Sequence, residues 1–135
     1  MADVELEIPS RSIYVGVVRL AISSLGRTAG LPEETVDDLK IAASEACANA
    51  VLGADEAGSD DRVVVGWTEH SDRVVVTVTD RSGDPGRSES LDAEGFSSRR
   101  GMSEALLQSL VDDVSVTEGS DGLSQVSLTV SRPPI

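Results

Sequence analysis

The stretch Leu39-Lys40-Ile41-Ala42-Ala43-Ser44-Glu45-Ala46-Cys47-Ala48-Asn49-Ala50-Val51 carries an apolar stripe with polar residues set beside it. Val36, Leu39, Ala43, Ala46, Cys47, Ala50 and Val51 recur at helical spacing, which predicts an amphipathic helix. Pro32 suits its first turn, and Glu33 and Glu34 complement the positive end of its dipole. Glu45 and Asn49 are four apart and share one helix face. A carboxylate beside a carboxamide can hold a water or hydroxyl and a hard cation such as Mg²⁺. The same spacing also describes an ordinary solvated polar pair, and spacing alone leaves both readings open.

Upstream, Val4, Leu6 and Ile8 alternate with Glu5 and Glu7, the pattern of a short strand with one buried face. Tyr14, Val17, Val18, Ala21, Ile22 and Leu25 predict a preceding helix, capped by Ser10 or Ser12 and bracketed at its end by Gly26 and Gly30. Downstream, the small acidic stretch 53–61 breaks the helical period. Two β-branched runs at 62–69 and 73–80 then form a hairpin. The polar segment 81–100 has no hydrophobic period, and a loop that long inside a compact domain is usually functional or disordered. Met102, Ala105, Leu106, Leu107, Leu110 and Val111 predict a third helix, and runs around Val114 and Val126 to Val130 predict a closing hairpin. The order is β-α-α-β-β-loop-α-β-β. It implies one α+β domain over 1–135, a two-layer sandwich with a largely antiparallel mixed sheet and helices on one face.

Composition narrows the function classes. Asp and Glu number 24 against 11 Lys and Arg, a net charge of −13, which repels phosphate backbones and anionic lipid. Neither nucleic acid nor a membrane is therefore an expected partner. One cysteine and one histidine exclude an intramolecular disulfide and a Cys/His metal cluster, and Cys47 on the apolar stripe reads as a core residue. No apolar run spans a bilayer and the N-terminus has no signal-peptide pattern, so a cytoplasmic protein is expected. Two further features interrupt apolar patterns. Asp80 ends a strand before a polar loop, where it can accept a hydrogen bond from a ligand amine or simply open a turn. Arg99-Arg100-Gly101-Met102-Ser103 leads into the third helix, where backbone N–H groups can approach a phosphate.

A helix with Glu45-x-x-x-Asn49, a strand ending in Asp80, a long polar loop and Gly101 at a helix start together resemble the ATP-binding Bergerat fold of the GHKL superfamily. Within it the chain is most similar to the anti-sigma-factor serine kinases, whose N box the segment 39–51 closely matches. The resemblance implies a sigma-factor-binding inhibitor that phosphorylates a serine of an anti-anti-sigma partner of STAS type with Mg·ATP. It implies Glu45 as general base for that serine and Asn49 as Mg²⁺ ligand. It gives Asp80 as acceptor for the adenine amino group, and Gly83, Arg100, Gly101, Met102, Ser103 and Ser124 as nucleotide-site residues under a lid at 86–100. Arg19 resembles a position that contacts the anti-anti-sigma partner, and a second copy of the chain is a further candidate partner.

The glycine boxes depart from the family pattern. Asp80-Arg81-Ser82-Gly83-Asp84 stands where the family has Asp-x-Gly-x-Gly, and Gly101-Met102-Ser103-Glu104 where it has Gly-x-Gly-Leu. Side chains at Ser82 and Ser103 crowd a backbone cradle, and Glu104 repels phosphate. Gly122-Leu123-Ser124 only approximates the closing Gly-Thr-Thr. These departures predict weakened or lost ATP binding. They support an alternative, a catalytically inactive, nucleotide-independent anti-sigma module of the same fold. A detached histidine-kinase ATP domain is disfavoured because no phosphoacceptor helix precedes it.

Overall fold

A computed structural model describes residues 2–57, 61–80, 103–118 and 123–133. Strand β1 (Val4–Ile8) leads through a 3₁₀ turn (Ser12–Tyr14) into α1 (Val15–Thr28) and α2 (Glu33–Ala57). Strands β2 (Val63–Glu69) and β3 (Arg73–Asp80) follow, then α3 over 103–110, and the hairpin β4 (Asp113–Glu118) and β5 (Ser124–Ser131). The sheet order is β1-β2-β3-β5-β4, and every described pairing is antiparallel. The largely antiparallel character is as expected, with no parallel pairing among the described residues. The last hairpin explains this, because β4 takes the sheet edge and β5 returns between it and β3.

Strand alternation divides the sheet into two faces. Val63, Val65 and Trp67 of β2, Val74, Val76 and Val78 of β3, and Leu128 and Val130 of β5 are buried on one of them. Thr77, Thr79, Gln125, Ser127 and Thr129 alternate onto the other. Helix α2 packs on β2, β3 and β5, and α1 packs on α2. Leu107 and Val111, in and just after α3, join the same core. Although aliphatic residues dominate that core, Trp67 is its largest fully buried side chain, at 1% exposure.

The end of α1 at Thr28 falls between Gly26 and Gly30, as expected, and Gly30 has a φ of 78° that only glycine adopts cheaply. Gly26 also serves packing, since a Cβ there would lie 2.9 Å from Val36 Cγ2. Two other local expectations are corrected. Neither Ser10 nor Ser12 caps α1, where the N-cap is Tyr14 with no side-chain cap bond, and Ser10 Oγ donates to the Asp61 carbonyl. Helix α2 does not stop at Gly53 but runs to Ala57. Burial of Ala54 and alanine's helix propensity outweigh one glycine, which costs about 1 kcal/mol. Pro32 sits just ahead of α2, its carbonyl accepting the Val36 N–H, a half-in position at the helix start.

Leu39 is fully buried where α2 meets the core. Leu39→Ala is expected to cost about 2–5 kcal/mol, read as a lower urea midpoint at unchanged slope. A loss well under 1 kcal/mol would contradict this seating of α2.

Candidate functional site

Four elements converge at one end of the sheet. Helix α2 carries small buried residues, Ala42, Ala43, Ala46, Cys47 and Ala50, toward the strands. That choice places Glu45, half-buried, and Asn49, exposed, along the boundary of the packed stripe. Glu45 has no hydrogen-bond or ion-pair partner among the described residues, which leaves its carboxylate available to a ligand. Asn49 donates from Nδ2 to Ser103 Oγ at 2.5 Å, a contact between residues 54 positions apart. Ser103 is 8% exposed and is the first described residue of α3, and its hydroxyl accepts from the carboxamide. With Nδ2 engaged, the remaining polar atom of Asn49 is Oδ1, a hard oxygen of the kind Mg²⁺ takes.

Asp80 closes β3 and pairs in register with Ser124, the first residue of β5 and buried. One residue along, Gln125 Nε2 donates to Thr79 Oγ1 at 3.0 Å and ties the two strands together. Asp80 also lies near Cys47 of α2. Burial pushes the Cys47 thiol up to about 12, and the Asp80 carboxylate is the second cause of that rise. Glu45, Asn49 and Asp80 are thus carried by neighbouring elements, with Ser103 and Ser124 beside them. Gly83, Arg100, Gly101 and Met102, together with the lid expected at 86–100, lie outside the described residues.

Arg19 of α1 is exposed, and its Nε donates to Ser44 Oγ of α2 at 2.7 Å. Ser44 was legible in the sequence only as part of a helical run. Its role as an acceptor arises from a contact across 25 positions that no local pattern encodes. Among the described residues no group of three or more His, Cys, Asp or Glu is placed to hold a metal, and no helix is long and apolar enough to cross a membrane.

The fold is an α+β sandwich whose helix α2 carries Glu45 and Asn49 and whose strand β3 ends in Asp80. The family profile described as histidine kinase-like ATPase domain matches residues 8–130. Serine-protein kinase RsbW of Bacillus pumilus is 34% identical over 128 residues, covering 87% of this chain and 79% of that protein. RsbW of Bacillus subtilis is 36% identical over 77 residues, a match that spans 57% of this chain and about half (48%) of the relative. Among solved structures, the SiaB–SiaC complex from Pseudomonas aeruginosa contains a chain of the same fold, with a TM-score of 0.63 at 14% identity. That match covers 96% of this chain and 90% of the other. The chain belongs to the histidine kinase-like ATPase domain family, and within it to the anti-sigma-factor kinase family of the RsbW serine-protein kinases.

The Cys47 environment yields a pH prediction. In the folded chain the thiol keeps its proton to about pH 12, whereas the unfolded chain loses it near the ordinary 9.0. The folded state then holds the extra proton, so this stabilisation is complete below pH 9.0 and is lost as pH rises toward 12. Cys47→Ala should flatten that part of the alkaline fall in melting temperature, and Asp80→Asn should move the thiol's titration downward. An unchanged alkaline slope in Cys47→Ala would contradict the assignment.

Proposed function

We propose that the chain is a cytoplasmic anti-sigma factor that holds a sigma factor and is a serine kinase toward an anti-anti-sigma partner of STAS type. The observation that supports this most is the placement of Glu45 and Asn49 on one turn of α2, with Asp80 carried alongside at the end of β3. In this reading Asp80 accepts a hydrogen bond from the adenine amino group, with Ser124 opposite it on β5. Asn49 presents Oδ1 toward the phosphates while Ser103 holds its Nδ2. Bound Mg²⁺ supplies charge neutralisation across the ATP phosphates. Glu45 accepts the proton of the partner's serine hydroxyl as its oxygen bonds to the γ-phosphorus and the bond from that phosphorus to the bridging oxygen of ADP breaks. Glu45 is suited to that task by being half-buried and unengaged by any described residue.

The transferred phosphate adds roughly −1.5 to −2 charge to the partner. Against a chain of net charge −13 the product is repelled, which favours its release. Gly83, Arg100, Gly101 and Met102 complete the nucleotide site in this proposal, and Arg19 contacts the partner.

Calorimetric titration with Mg·ATP and Mg·ADP tests the reading. Binding should weaken at least tenfold in Asn49→Ala and in Asp80→Asn. Glu45→Gln should keep nucleotide affinity while phosphotransfer to the partner falls by about 10²–10⁴-fold. No binding at millimolar nucleotide would sink the kinase reading and leave a nucleotide-independent sigma-binding module.

A further inference from the structure

We infer that Ser44 is a positioning residue: its buried hydroxyl holds the guanidinium of the exposed Arg19 ready to pair with a carboxylate of a protein partner. The inference rests on the reading that Arg19 faces the partner, and it adds the device that makes Arg19 selective. Ser44 Oγ donates its only hydrogen to the Lys40 carbonyl at 2.7 Å, one helical turn back. Its lone pairs are therefore directed away from that carbonyl, and Arg19 Nε donates to them at 2.7 Å. The serine itself is buried, whereas Arg19 is exposed.

The anchor uses Nε and leaves the two terminal nitrogens without a partner among the described residues. Those nitrogens carry the donor pair that meets a carboxylate in two parallel hydrogen bonds. The other described arginines in ion pairs, Arg27, Arg73 and Arg132, engage acids of this chain through a terminal nitrogen. Arg19 is arranged the other way round, braced from within and open outward. Its helix exposes apolar side chains nearby in sequence, Val17 and Leu20, the latter at 73% exposure. Ser44 also immediately precedes Glu45 in α2, so the brace ties the outward arginine to the same helical turn that carries the proposed base.

The anchoring explains why charge alone does not suffice. A free arginine loses side-chain entropy on pairing, whereas one held at Nε has already lost part of it. Lysine at position 19 keeps the charge but has no Nε–H to donate to Ser44.

A double-mutant cycle tests the inference on the full chain. Arg19→Lys, Ser44→Ala, the pair together and Ser44→Thr would be titrated with the anti-anti-sigma partner and separately with Mg·ATP. Ser44→Ala keeps helix propensity, and the Arg19 Nε–H that loses its acceptor belongs to an exposed side chain that can turn to water, so the melting temperature should stay near that of the parent. The expected result is a five- to tenfold loss of partner affinity in Ser44→Ala, substantial recovery in Ser44→Thr, and no change toward Mg·ATP. In the Arg19→Lys background, Ser44→Ala should add nothing. Loss in Arg19→Lys with none in Ser44→Ala would overturn the positioning role while leaving Arg19 as a partner contact. No loss in either would overturn both.

Discussion

Every functional placement in this molecule depends on how closely α2 lies against the sheet. The helix packs on β2, β3 and β5, and alanines and a cysteine make up most of its buried positions. Larger side chains along that stripe would lift the helix and carry Glu45 and Asn49 away from the strand ends. Close packing makes such a displacement costly, because interiors are filled to crystal-like density. The polar residues are thereby held at the edge of an apolar contact rather than within it, so neither is buried without water or a partner. The buried Cys47 thiol, sensing Asp80 from the facing strand, marks how near the two elements come.

The elements were legible in the sequence wherever one interaction dominated. Alternation in β2 and β3 and the apolar stripe of α2 each reflect burial of one face, and they appear at the expected places. The ends of helices were less legible because competing terms decide them. Gly26 marked the approach to the end of α1, yet nothing in the sequence signals that it is also kept small for Val36. Gly53 looked like a break, yet burial of Ala54 carries the helix across it. Position within the chain could not reveal either outcome, since the deciding neighbour belongs to another element or another turn.

The candidate site divides in the same manner. Glu45, Asn49 and Asp80 stood out because each interrupts an apolar pattern, a local signal. The contacts that organise them are not local. Ser103 meets Asn49, Ser44 receives Arg19 and Ser124 faces Asp80, all through tertiary structure. Serine gives little advance sign of such a role, because its hydroxyl serves equally as solvent-facing group, helix back-bonder or acceptor. In sequence Ser103 read as an obstruction where family members carry glycine; in the fold its hydroxyl accepts a hydrogen bond from Asn49 Nδ2.

The two outermost strands have a consequence for the chain's behaviour in company. β1 carries Glu5 and Glu7, and β4 begins with Asp113 and ends with Glu118, all exposed. An open sheet offers unpaired backbone groups at both margins, and strand addition there is the common route to fibrous association. Here any approaching copy must bring carboxylates against carboxylates, within a molecule already at −13. The deterrent is electrostatic rather than steric, so it is screened by concentrated salt. Colloidal stability in this protein is thus tied to the charge along its sheet margins and the salt around them, separately from the packing that keeps it folded.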